Sequence, residues 1–403
     1  MAAMALVTGV PTKSTGLCLA IFLSVITVMM VPLPAQAAVL PGGSDLSSKP
    51  LVAAEAAVLI DVASGRVLFA KNPEKRLYPA STTKILTALV VLDQADPDEP
   101  VTTSKAAASI GGSSIYLTEG EVLSVGDLLQ GLLLASGNDA AVALAEHVAG
   151  TVEDFALLMN RAALALGAND SNFRNPHGLH DPAHFTSAHD LALMTRAGLS
   201  KYPMFRETVA KRASVIPWPD REWDRALYNH NRLLWRYEGA DGVKTGYTRN
   251  AGNCLVASAT RAGWQLAAVI LESGDHYQDA ERIFDYGFGT YSPGVVAAEG
   301  LLVRTVTVRG GEQQRVTVAV GQDLIVPLLP GEAGKIRLAL SLPERIEAPV
   351  QEGTGVGELL AYLDGERVGS APLVATEAIP KGTLLTAFLR SFFRVFRALL
   401  GQG

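Results

Sequence analysis

The sequence predicts an α+β chain: a large domain mixing helices and antiparallel strands, a small all-β module after it, and an amphipathic helix at the end. Three observations carry this. Strand-like apolar runs with hairpin-type turns occur at 56–70 and again at 253–271, and strongly apolar helical stretches lie between them. From about Leu301 to Ala375 short alternating runs are cut by Gly310-Gly311, Pro330-Gly331 and Asp364-Gly365, the pattern of a small β fold. After Glu377 no acid follows, and Leu385, Phe388, Phe392, Val395, Phe396 and Leu399 fall on one helix face opposite Arg390, Arg394 and Arg397. With 403 residues, 48% of them hydrophobic, the chain can hold one large core and a second small one.

The expected boundaries follow in order. Residues 1–37 read as an export signal: Lys13, an apolar run from Leu17 to Val31, a break at Pro32 to Pro34, and Ala35-Gln36-Ala37 as the small-x-small cleavage form. An uncleaved anchor helix is the alternative, against which the run is short. Residues 38–50 form a flexible lead-in, 51–295 the main domain and 299–377 the β module. Residues 379–403 hold the amphipathic helix, whose 384–400 stretch suits the surface of an anionic membrane, or else packs on the β module or an oligomer partner. A net charge of -6 argues against nucleic acid as a partner. Cys18 lies inside the export signal, leaving Cys254 as a lone, apolar-flanked thiol with no disulfide framework and no cysteine zinc site.

Within the main domain, Ala56 to Asp61 and Val67 to Ala70 form a hairpin around Ala63-Ser64-Gly65-Arg66. Thr82 to about Asp93 is helical and apolar on nearly every side, which places that helix in a domain centre. Ser81 then falls at the helix N-terminus, where unpaired N–H groups and the helix dipole stabilise negative charge developing on an attacked carbonyl. Lys84, three residues on, shares its face; burial would lower its pKa and leave a neutral amine beside the hydroxyl. Alone, Ser-x-x-Lys is a weak pattern, equally an N-cap serine and a solvated lysine.

Two helical segments between Val125 and Val148 flank Ser136-Gly137-Asn138, a connection able to aim a hydroxyl and an amide into a cleft or to serve as a plain turn. Asn175-Pro176-His177-Gly178-Leu179 is a loop, and four of the seven histidines fall between His177 and His189. Their spacing lacks the His-Glu-x-x-His form and only Asp181 and Asp190 are near, so loop-pinning or surface histidines are expected ahead of a zinc site. No metal and no cofactor are expected. Tyr228 to Tyr237 reads as a cleft wall. Asp241-Gly242-Val243 leads into Lys244-Thr245-Gly246-Tyr247 on or beside an antiparallel strand, whose edge can take an extended peptide.

Ser-x-x-Lys, Ser-x-Asn and Lys-Thr-Gly in this order are close to a set already known from class A β-lactamases and penicillin-binding proteins. With the Asn175–Leu179 loop and the layout of signal, enzyme, β module and tail, nearly all of the mature chain resembles the D-alanyl-D-alanine carboxypeptidases among the low-molecular-mass penicillin-binding proteins. The resemblance implies a β-lactamase/transpeptidase-like catalytic domain, an antiparallel sheet with helices on both sides. It also implies a serine-type D-Ala-D-Ala carboxypeptidase that removes the terminal D-alanine from peptidoglycan pentapeptides through an acyl-enzyme at Ser81. β-Lactams would acylate the same serine, and the enzyme would work peripherally at the outer face of the cytoplasmic membrane.

Carried over by residue, Ser81 is the nucleophile, Lys84 the base, Ser136 a proton relay, and Asn138 an orienting amide. Lys244, Thr245 and Gly246 bind the substrate's end, and the backbone N–H groups of Ser81 and Tyr247 form the oxyanion hole. Gly137 stands where the known set has Asp, which favours the carboxypeptidases over class A β-lactamases. Those β-lactamases also use a glutamate for deacylation; Glu146, Glu207 and Glu222 stay open for that role. The competing classes are a β-lactamase, a metal peptidase with His177, His180 and His184 as ligands, and a non-catalytic wall-binding protein.

Overall fold

The computed structural model describes residues 23–26, 49–219 and 221–383. The 384–400 helix and most of the export signal and lead-in lie outside the described residues. Of the signal stretch, Leu23–Ile26 is described as a short strand paired antiparallel with Arg337–Ser341.

The main domain is built on β1 (Ala56–Asp61), β2 (Val67–Lys71), α1 (Lys84–Gln94), α2 (Val125–Leu133), α3 (Asn138–Ala149), α4 (Ala188–Lys201), β3 (Ala240–Thr248), β4 (Gly252–Arg261), β5 (Trp264–Ser273) and α5 (His276–Thr290). The five strands form one antiparallel sheet in the order β2-β1-β5-β4-β3. Strand alternation sends its two faces into different cores. Val58, Ile60, Val256, Ala267 and Val269 pack with the helical body that contains α1, α3 and α4, while Leu59, Leu255, Ala257, Leu266 and Ala268 pack with Ile283 and Phe284 of α5. Helices therefore cover both sides of the sheet. The β4–β5 turn is Ala262-Gly263, with φ of 49° and 79°, the two-residue left-handed turn whose twist matches an antiparallel pair.

Helix α1 is buried from Lys84 through Val91. Burying each of Ile85, Leu86, Leu89 and Val90 contributes roughly 1.5–3 kcal/mol, which makes α1 a fixed post for the residues at its N-terminus. Tyr228 to Tyr237 holds the end of a hairpin strand and a short helix, and its polar side chains tie separate elements together. Asn231 donates to Gly242 O of β3 at 2.7 Å and Asn229 to Lys211 O at 2.9 Å, while the His230 amide donates to Leu134 O at 3.2 Å.

The β module has its own core, including Val306, Val316, Val326, Leu359 and Leu373. The sequence reading places a boundary between 295 and 299, but Ser292–Ala297 is a single strand that crosses it and pairs with Leu324–Leu328. Neither strand was expected. Pro293 and Pro327 interrupt both patterns, and they face each other in a two-stranded ribbon where prolines on free edges are tolerated. At the junction, Arg66 of the β1–β2 turn pairs with Glu332 at 2.9 Å and lies over the Tyr291 ring at 5.4 Å. Among the described residues, no helix is long and apolar enough to cross a membrane.

Candidate active site

Ser81 lies in a 3-10 turn, Ala80–Thr83, that runs directly into α1. Ala80 has φ of 48°, a left-handed conformation that a non-glycine residue keeps only when its surroundings hold it. They do. Thr83 Oγ1 donates to Ala80 O at 2.8 Å, and His184 Nε2 lies 2.9 Å from the same hydroxyl. The Arg174 amide donates to His184 Nδ1 at 3.1 Å, so the proton of the neutral ring sits on Nε2 and points at Thr83. Gly178 packs so tightly on Ala80 O that no side chain fits there.

Lys84 is fully buried. Its Nζ lies 2.7 Å from Asn138 Oδ1, 2.8 Å from His177 O and 3.0 Å from Ser81 Oγ. Burial first, and then repulsion from Lys244, push the amine well below the ordinary lysine range, with Asp139 pulling the other way. A neutral amine has two N–H donors and one lone pair. Asn138 and His177 take the donors, which leaves the lone pair for the Ser81 hydroxyl proton.

Ser136 has φ of 62°, and its Oγ is buried without a hydrogen-bond partner among the described residues. Such a hydroxyl is costly unless something binds to it. Asn138 opens α3 two residues later, and its side-chain oxygen reaches Lys84 Nζ. Strand β3 is one of the two edge strands of the sheet, and it lies against the Ser81 turn. A Cβ on Gly246 would come within 2.9 Å of both Pro79 O and Ser81 N. Lys244 is also buried, and desolvation lowers it to about 7. His230 is lowered by burial and then by Lys244 and Lys84, and the expected wall is tied to β3 by the Asn231–Gly242 hydrogen bond. Thr245 is half-buried, and the Tyr247 side chain is exposed.

Of the residues picked from sequence, Ser81, Lys84 and Asn138 are joined through the Lys84 amine, and Gly246 of β3 packs on the Ser81 turn. The histidines serve the backbone. His184 holds the Ser81 turn, His177 offers its carbonyl to Lys84, and His180 packs edge-on against Tyr78 at 4.7 Å. Burial lowers His177 to about 3 and His184 to about 4. Among the described residues, no group of three or more His, Cys, Asp or Glu could hold a metal ion. Cys254 is a buried thiol raised to about 12 by desolvation. Of the open glutamates, Glu207 and Glu222 are exposed, and Glu146 lies about 12 Å along α3 from Asn138 at the helical rise per residue. Asp139 and the Glu121–Arg225 pair were not singled out from sequence. A buried acid next to a motif, or a long-range ion pair, has no periodic signal.

The family described as D-alanyl-D-alanine carboxypeptidase matches residues 44–274. D-alanyl-D-alanine carboxypeptidase DacF of Bacillus subtilis is 34% identical over 348 residues, covering 84% of this chain and 89% of that protein. The chain belongs to the D-alanyl-D-alanine carboxypeptidase family. It is a serine-type D-Ala-D-Ala carboxypeptidase of the penicillin-binding proteins. DacC of Escherichia coli, of the same family, is 33% identical over 350 residues, covering 83% of this chain and 86% of that protein. Among solved structures, penicillin-binding protein 5 from Haemophilus influenzae aligns with a TM-score of 0.66 at 29% identity, over 83% of this carboxypeptidase and 99% of that chain. The C-terminal domain of penicillin-binding protein 5 matches residues 291–381, so the β module is also that of the family.

Proposed function

We propose that this D-Ala-D-Ala carboxypeptidase divides its chemistry among the residues that line the cleft between α1, α3 and β3. Ser81 attacks the peptide bond between the two terminal D-alanines, and Lys84 takes its proton. The backbone N–H groups of Ser81 and Tyr247 receive the negative charge on the carbonyl oxygen. Ser136 passes a proton to the leaving amine, while Asn138 holds Lys84 and the substrate amide. Lys244 and Thr245 bind the free carboxylate, with Gly246 keeping the strand close enough to do so. D-Alanine leaves, water releases the shortened peptide from Ser81, and β-lactams stop at the acyl stage.

The observation that carries this reading is the Lys84 amine, 3.0 Å from Ser81 Oγ with both of its donors already used. Residues 1–37 serve as an export signal and 384–400 as a peripheral anchor on an anionic membrane surface, which places the cleft on the wall side. The pattern of arginines opposite apolar residues supports that anchor.

Intact-protein mass spectrometry after incubation with penicillin tests the assignment. The expected result is one adduct, mapped to Ser81, absent from Ser81→Ala together with D-Ala release from a Lys-D-Ala-D-Ala peptide. An adduct that survives Ser81→Ala refutes it.

A further inference from the structure

Asp139 follows the Ser136-Gly137-Asn138 triplet and is 1% exposed. Its carboxylate collects donors from the Ser113–Leu117 stretch: the Ile115 amide at 3.0 Å, the Leu117 amide at 3.1 Å and Ser114 Oγ at 2.5 Å. The Ala140 amide at 2.9 Å adds a fourth. Between the two bonded amides sits Tyr116, 74% exposed with φ of 62°, a strained conformation that these bonds over-determine. The front of the same loop grips Asn138, whose amide side chain donates to Gly111 O at 2.7 Å and whose backbone amide donates to Ser113 O at 2.7 Å. That contact decides which end of the Asn138 amide faces Lys84.

We propose that Asp139 is a positioning residue of the carboxypeptidase reaction, locking the Gly111–Leu117 loop onto Asn138 and facing the buried Lys84 with a negative charge. A relay of contacts runs from Asp139 through the loop to Gly111 O, Asn138, Lys84 and Ser81. It also accounts for Gly137, since a Cβ there would sit 2.7 Å from Asp139 Oδ1. The inference rests on the Ser81–Lys84 reading above.

The charged and titratable groups facing Lys84 are Lys244 on β3, Asp139 on α3, His177 on its loop and His230 on the cleft wall. Lys84 works when neutral, so activity rises with pH along an acid limb set by this group. A negative charge nearby favours the protonated amine, and its removal moves that limb to lower pH.

The test compares kcat/KM for D-Ala release against pH in wild type, Asp139→Asn, Asp139→Glu and Gly112→Ala. A Cβ at Gly112 would lie 2.6 Å from Asn138 Nδ2, so that variant dislodges the loop and keeps the carboxylate. Asp139→Asn is expected to lose roughly 10- to 100-fold and to shift the acid limb to lower pH. Asp139→Glu keeps the limb in place, and Gly112→Ala loses rate without moving it. A rate within twofold of wild type in Asp139→Asn, or a slow variant with an unmoved limb, overturns the proposal. Should Asp139→Asn fail to fold, an unchanged rate in Gly112→Ala, or a downward-shifted limb in Asp139→Glu, overturns it instead. If Ser81→Ala keeps its penicillin adduct, the underlying reading has failed; if it loses the adduct while Asp139→Asn behaves normally, only this proposal has.

Discussion

Gly246→Ala isolates the close approach of sheet and helix that assembles the site. The added Cβ would meet Pro79 O and Ser81 N at 2.9 Å and Ala80 Cβ at 3.1 Å. All three are fixed to the backbone, so no side-chain rotation relieves them. An ordinary C···O contact is about 3.3 Å or longer, and β3 must therefore retreat by roughly half an ångström from the Ser81 turn. That separates the two N–H groups proposed for the oxyanion and carries Lys244 with it. Losing one such donor outright costs about 100- to 1000-fold, and a shift of this size is expected to slow acylation by roughly 10- to 100-fold, or about 1.4–2.7 kcal/mol. The ladder from Gly246 to Cys254 of β4 stays in place, so Tm should hold within a few degrees. Gly274→Ala, with nothing within 4 Å of its Cβ, is the matched control. The assay is the second-order rate of acylation by a fluorescent penicillin. A Gly246→Ala rate within twofold of wild type would refute the argument that this contact sets the site.

Three further outcomes follow from burial. Lys244 must be charged to hold a carboxylate and is lowered to about 7, so kcat/KM should fall as pH rises through that region; Lys244→Gln should abolish this alkaline limb and cost roughly 100-fold, as measured by D-Ala release. His184 is lowered from 6.5 to about 4, so the unfolded chain binds the proton first: stability present above pH 6.5 is lost as pH falls toward 4, about 3 kcal/mol in all. Urea unfolding of wild type and His184→Asn at several pH values should show a shallower acid loss in the variant. Glu121 and Arg225 form a buried pair at 2.7 Å, so Glu121→Ala should destabilise by about 3–5 kcal/mol, read as a calorimetric Tm lower by about 10 °C.

Much of this protein is local in its coding. The hairpins, the apolar helix after Ser81, the change to short alternating strands and the three motifs are read from neighbouring residues, because side-chain periodicity and turn chemistry act over a few positions. Chemistry at Ser81 and Lys84 was legible for the same reason: one helical turn joins them. The prolines at 293 and 327 show the limit, since a strand that breaks its own pattern is recognisable only by its partner. Tertiary structure alone decided that His177 offers a carbonyl and not a ring to Lys84, and that His184 props the Ser81 turn. It alone placed Asp139 beneath the loop and brought β3 within van der Waals reach of Ser81. Burial, hydrogen-bond direction and pKa belong to the space between elements distant in the chain, and so exist only once the chain has closed around them.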